Sequence, residues 1–130
     1  MIVLAIKTDQ PEAELAIYDD KKQRANIKWA AQRILADTIN LKLREILNLL
    51  SISLNDIEGI VCFQGPGSFT GLRIGLSVGN ALAYTLGIPI VATKGKNWLS
   101  LGIKELQSGK NQKIVTPYYN RPAATTRPKK

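Results

Sequence analysis

The chain has 130 residues, 45% of them apolar, which fits one domain able to bury a core of its own. It contains no histidine and one cysteine, Cys62, which excludes histidine triads, histidine general bases, zinc sites and an intrachain disulfide. The net charge of +8 is unevenly placed: residues 1–93 hold nine Lys/Arg against nine Asp/Glu, whereas residues 94–130 hold nine Lys/Arg and only Glu105, an asymmetry that favours an anionic partner such as RNA.

In chain order, Ile2 to Lys7 reads as a short apolar strand, Thr8-Asp9-Gln10-Pro11 as a turn and Ala13 to Tyr18 as a second strand. Asp19-Asp20-Lys21-Lys22 turns again into a third strand, Ala25 to Trp29. A long helix is expected over Ala30 to Leu50, with Leu35, Ile39, Leu43, Ile46, Leu47 and Leu50 on one apolar stripe and Ile34 and Leu41 off it. Ser53 to Asp56 forms a turn, Ile57 to Phe63 a fourth strand, and Thr70 to Leu86 a second helix ended by Gly87. Ile90 to Ala92 is a fifth strand, Trp98 to Leu106 a third helix, and Lys113 to Thr116 a short last strand; Pro117, Pro122 and Pro128 rule out a helical tail. Cys62, inside an apolar strand, reads as a buried structural thiol, which suits a reducing cytoplasm. No apolar run reaches the roughly 18–20 residues that span a bilayer, and the strand-like start lacks the pattern of a signal peptide.

The order β-β-β-α-β-α-β-α predicts an α/β fold with a mixed sheet and helices packed on it, the ribonuclease H-like order that also builds each half of actin-like ATPases. Residues 1–108 are expected to form this half-domain, and residues 109–130 a short strand with a basic, proline-containing tail.

The run Gly65-Pro66-Gly67-Ser68-Phe69-Thr70-Gly71 stands between the fourth strand and the second helix. Ser68 is suited to cap the helix, and the glycines allow backbone angles other residues resist. The run matches neither the Walker A pattern nor the Rossmann spacing, and no lysine stands where a phosphate would need one. Gly71, Gly75, Gly79 and Ala83 recur every four residues; three helical glycines cost roughly 1 kcal/mol each relative to alanine, which close packing would offset. The opposite side, with Arg73, Leu76, Ser77, Asn80 and Tyr84, has an interface-like composition.

Gln64 to Gly75 resembles, contiguously, the signature of the TsaB (YeaZ) family, and the likeness extends from about Met1 to Ile103. The resemblance implies an actin-like half-domain of the ASKHA type. It implies a non-catalytic subunit in the making of N6-threonylcarbamoyladenosine (t6A) in tRNA, paired with the catalytic paralogue TsaD or with itself through the two long helices, and joined by a TsaE-type ATPase. Carried onto this chain, the pairing residues are Ile34, Thr38, Leu41, Arg73, Leu76, Ser77, Asn80 and Tyr84, and the signature loop is Gly65, Pro66, Gly67, Ser68, Thr70 and Gly71. Arg121, Arg127, Lys129 and Lys130 are the candidate tRNA contacts of the basic tail.

Two departures from the family pattern stand out. Most of the second half-domain is missing, although Thr116 to Pro122 resembles a segment near the C-terminus of longer members, so Ser108 to Gln112 is expected to bridge an internal loss. Lys7-Thr8-Asp9 replaces the family's Asp-Thr-Ser, and both departures speak against ATP binding by this chain alone; no cofactor and no metal are expected. A small RNA-binding module acting without TsaD is the alternative. A ribonuclease H-like hydrolase would have to gather Asp9, Asp37 and Asp56 around a metal without a carboxylate at the usual first-strand position.

Overall fold

In a computed structural model, which describes residues 1–118, three strands run as an antiparallel meander: β1 (Ile2–Lys7), β2 (Glu12–Asp19) and β3 (Lys22–Ala30). A 3-10 turn over Gln32–Ile34 leads into α1 (Leu35–Leu49). The chain continues through β4 (Gly59–Phe63), α2 (Phe69–Leu86), β5 (Ile90–Thr93) and α3 (Trp98–Gln107). The sheet order is β3-β2-β1-β4-β5, with β1, β4 and β5 parallel.

Strand alternation sorts the side chains onto two faces. Leu4, Ile6, Leu15, Ile17, Ile60 and Cys62 form one face with the α1 stripe Leu35, Ile39, Leu43, Ile46 and Leu47 and with Leu76 and Ala83 of α2. Val3, Val61 and Val91 form the other face, covered by Ile103 and Leu106 of α3. Burying one such aliphatic side chain stabilises the fold by about 1.5–3 kcal/mol, so both layers contribute to a single sandwich. Cys62 is fully buried, and desolvation pushes its thiol up to about 12, which makes it a packing group. Among the described residues no helix is long and apolar enough to cross a membrane.

The strands and helices follow the expected order; β3 starts at Lys22 rather than Ala25, and three further differences stand out. The first long helix starts at Leu35 rather than Ala30, because Ala30 still pairs with Glu12 and the Ala31 amide donates to the Pro11 carbonyl at 2.9 Å. The turn at Ser53 is a 3-10 helix with a reciprocal capping box between Ser53 and Asp56, and β4 begins at Gly59 rather than Ile57.

The third difference is the expected last strand at Lys113 to Thr116, which does not form. Side-chain amides take over the bonding there. The Ile90 amide donates to Asn111 Oδ1 at 3.1 Å, the Ala92 amide donates to Gln112 Oε1 at 2.6 Å, and the Gln112 amide donates to the Ile90 carbonyl at 2.9 Å. The edge of β5 is satisfied without a sixth strand.

Candidate functional site

The end of β1 and the start of α2 meet at the glycine-rich turn. Gly65 has φ +123°, and a Cβ there would lie 2.3 Å from the Tyr118 carbonyl oxygen. The Gly65–Pro66 bond is cis. The Ser68 amide donates to the Asp9 carbonyl at 2.9 Å, and the Ser68 hydroxyl accepts from the Gly71 amide at 3.3 Å, so Ser68 is the helix cap the sequence predicts.

The glycine stripe of α2 lies on the sheet. A Cβ at Gly71 would stand 2.2 Å from the Thr8 carbonyl oxygen, one at Gly75 would stand 2.1 Å from Thr8 Oγ1, and one at Gly79 would stand 2.7 Å from Cys62 Sγ. Thr8 Oγ1 donates to the Gly71 carbonyl at 2.7 Å and fixes the approach. Beside it, Lys7 Nζ lies 2.7 Å from Asp9 Oδ1 and 4.8 Å from the Phe63 ring centroid, so the lysine and the buried aspartate are committed to each other.

The outer faces of α1 and α2 lie side by side on the same side of the sheet. Between them runs a groove of about 320 Å³ lined by Ala36, Ile39, Asn40, Thr70, Arg73, Ile74, Ser77 and Val78. Ile34 (49% exposed), Leu41 (58%) and Tyr84 (90%) are apolar or aromatic side chains left open to solvent. Arg73 and Ser77 are exposed as well, with the Arg73 guanidinium 5.2 Å from the Phe69 ring centroid. Thr38 is half-buried: its hydroxyl donates to the Ile34 carbonyl at 2.7 Å and accepts from Trp29 Nε1 at 2.9 Å.

Leu76 does not belong to the open face. It is 2% exposed, because α2 turns that position into the core. Asn80 is half-buried and already bonded: its Nδ2 donates to the Val115 carbonyl at 3.0 Å, and the Val115 amide donates to its Oδ1 at 2.8 Å. Gln64 Nε2 donates to the Thr116 carbonyl at 3.1 Å, and the Tyr118 amide donates to the Gln64 carbonyl at 2.9 Å. These bonds strap residues 111–118 across α2 and the sheet edge. No helical or strand periodicity announces such amide clamps, and the sequence reading missed them.

Asp9, Asp37 and Asp56 are not brought together. Asp9 pairs with Lys7, Asp37 is exposed in the first turn of α1, and Asp56 caps the 3-10 turn ahead of β4. Among the described residues no group of three His, Cys, Asp or Glu side chains could hold a metal ion. Arg121, Arg127, Lys129 and Lys130 lie outside the described residues.

A family model described as "TsaD: tRNA N6-adenosine threonylcarbamoyltransferase" matches residues 29–111. The tRNA N6-adenosine threonylcarbamoyltransferase of Geotalea uraniireducens is 42% identical over 60 residues, 46% of this chain and 18% of that protein. The tRNA threonylcarbamoyladenosine biosynthesis protein TsaB of Escherichia coli is 33% identical over 95 residues, which is 70% of this chain. The chain belongs to the TsaB/YeaZ family. The solved YeaZ of Pseudomonas aeruginosa shares the fold with a TM-score of 0.68 at 24% identity, over 82% of this chain and 50% of that one. Thermus thermophilus RuvC shares the fold with a TM-score of 0.53 at 12% identity, over 95% of this chain and 84% of that one, which fits the expected ribonuclease H-like, actin-like half-domain fold. The chain spans 39% of the Escherichia coli TsaB and 50% of the solved YeaZ.

Proposed function

We propose that the chain is a non-catalytic subunit in the making of t6A in tRNA, and that it pairs with a TsaD-type catalytic subunit through the outer faces of α1 and α2. The names of its relatives support the pathway. The observation that carries the pairing is the exposure of Ile34 at the turn into α1, of Leu41 on α1, and of Arg73 and Tyr84 on α2. Aromatic and arginine side chains are the usual anchors of protein interfaces, and burying exposed Ile and Leu against a partner stabilises the complex by about 1.5–3 kcal/mol each. Leu76 and Asn80 support the surface from beneath rather than touching the partner. The dispersal of Asp9, Asp37 and Asp56 speaks against the ribonuclease H-like hydrolase alternative. In the absence of TsaD, the same faces would join two copies of the chain, and a TsaE-type ATPase would join the mixed complex.

Size-exclusion chromatography with light scattering tests the pairing. Mixed with a TsaD-type protein, the chain should form a one-to-one complex. Replacing both Leu41 and Tyr84 by glutamate should weaken it by at least roughly thirtyfold, the loss expected of an interface anchor. No complex, or a variant that pairs like the parent, would overturn the reading.

A further inference from the structure

Over its 18 residues α2 carries one charged side chain, Arg73. Arg73 is exposed and lines two grooves. One is the groove of about 320 Å³ shared with α1. The other, of about 230 Å³, lies between α2 and the strap, which contributes Val115 and Pro117. Arg73 is the only charged residue lining either groove.

The guanidinium is steadied but has no counter-charge. It lies over the Phe69 ring, 5.2 Å from the centroid, one turn back on the same helix. Such a contact holds the planar group in place while its N–H donors remain able to take a carboxylate through two parallel hydrogen bonds. None of the ion pairs among the described residues involves Arg73. Of the two acids on α1, Glu45 pairs with Lys42 at 3.5 Å, and Asp37 lies in the first turn.

We propose, resting on the pairing reading above, that Arg73 sets the choice of partner: it takes an Asp or Glu carboxylate from an otherwise apolar helix face of the catalytic subunit. The grooves on its flanks, lined by Ile39, Ile74 and Val78 on one side and by Val115 and Pro117 on the other, receive the apolar neighbours of that acid. A second copy of this chain is the poorer occupant. A twofold pairing sets the same face against itself, and the facing α2 then brings another Arg73 and no acid. An unanswered charge of this kind discriminates against the wrong partner, while the matched pair favours the right one.

The test compares the parent chain with Arg73→Lys, Arg73→Gln and Arg73→Glu, by calorimetric titration against a TsaD-type protein and by sedimentation equilibrium of each chain alone. Arg73→Gln should weaken the mixed pair roughly ten- to a hundredfold, the loss expected of hydrogen bonds to a charged group. Arg73→Lys keeps the charge without the fork and should lose less, and Arg73→Glu, set against a carboxylate, should lose more than Arg73→Gln. Raising the salt from about 50 to about 500 mM should weaken the parent's mixed pair more than that of Arg73→Gln. Self-association should hold or tighten in Arg73→Gln. An Arg73→Gln chain that pairs like the parent, or an Arg73→Glu chain that pairs no worse than Arg73→Gln, would overturn the proposal and leave the pairing reading standing. Self-association that weakens as much as the mixed pair would also overturn it, since a second copy would then be answering Arg73, with Asp37 as the source. A parent that forms no mixed complex would remove the pairing reading and this selection together.

Discussion

At the residue scale, Thr8 explains why the second helix tolerates glycine. Its carbonyl and hydroxyl occupy the places where side chains at Gly71 and Gly75 would go, and its hydroxyl ties the helix down through the Gly71 carbonyl. Alanine at Gly75 would gain about 1 kcal/mol of helix propensity. It would also set a methyl 2.1 Å from Thr8 Oγ1, with the Thr8 Cβ and Cγ2 both at 3.1 Å, a clash that backbone shifts must relieve. Overpacking of this kind costs roughly 1–3 kcal/mol, so Gly75→Ala should be destabilising on balance in urea denaturation. Thr8→Ala should also destabilise, through its lost hydrogen bond. The double variant should be more stable than the sum of the two changes, since one removes the atom the other strikes. Independent, additive effects would show that Thr8 does not set the spacing.

At the element scale, the long helices were legible from their apolar stripes, and the central strands β4 and β5 from short continuous apolar runs between turn residues. The α1 stripe, the Ser68 cap, the Gly87 stop at φ +65° and the glycine stripe of α2 are all where the pattern puts them. The late start of α1 was hidden because Ala30 and Ala31 suit a helix as well as a strand end, and pairing with β2 decides between them. The strap was hidden for a different reason. Its bonds come from Asn80, Gln64, Asn111 and Gln112 side chains, whose partners are fixed by tertiary placement and carry no period. Asn80→Ala would remove a donor and an acceptor that together mimic a strand partner for Val115. The expected result is faster hydrogen exchange over residues 112–118 and a loss of roughly 1–2 kcal/mol, with α1 and β1 unchanged. Unaltered protection at Val115 would mean that the strap is held by something other than this amide.

At the scale of the whole molecule, the exposed face of the long helices and the basic end of the chain differ in how far the sequence foretold them. The exposure of Ile34, Leu41 and Tyr84 was legible because those positions fall off the apolar stripes. Leu76 was misplaced on the outer face of α2 because positions 73, 76, 77, 80 and 84 trace a wide arc of the helix, and one border of it turns into the core. The basic excess after residue 93 was plain in the composition, but its focus at Lys94 beside Tyr118 depends on the strap and so appears only in three dimensions. The proposed account is that this TsaB/YeaZ family chain supports a catalytic partner in t6A formation without reacting itself. That account is tested most directly by reconstitution: t6A formed on tRNA by a TsaD-type enzyme and its threonylcarbamoyl donor, measured with and without this chain. The account predicts no t6A from the chain alone, and a rate with the enzyme that rises on adding the chain and falls back with the Leu41→Glu/Tyr84→Glu variant. A rate indifferent to the chain, or t6A made by the chain in the enzyme's absence, would contradict it.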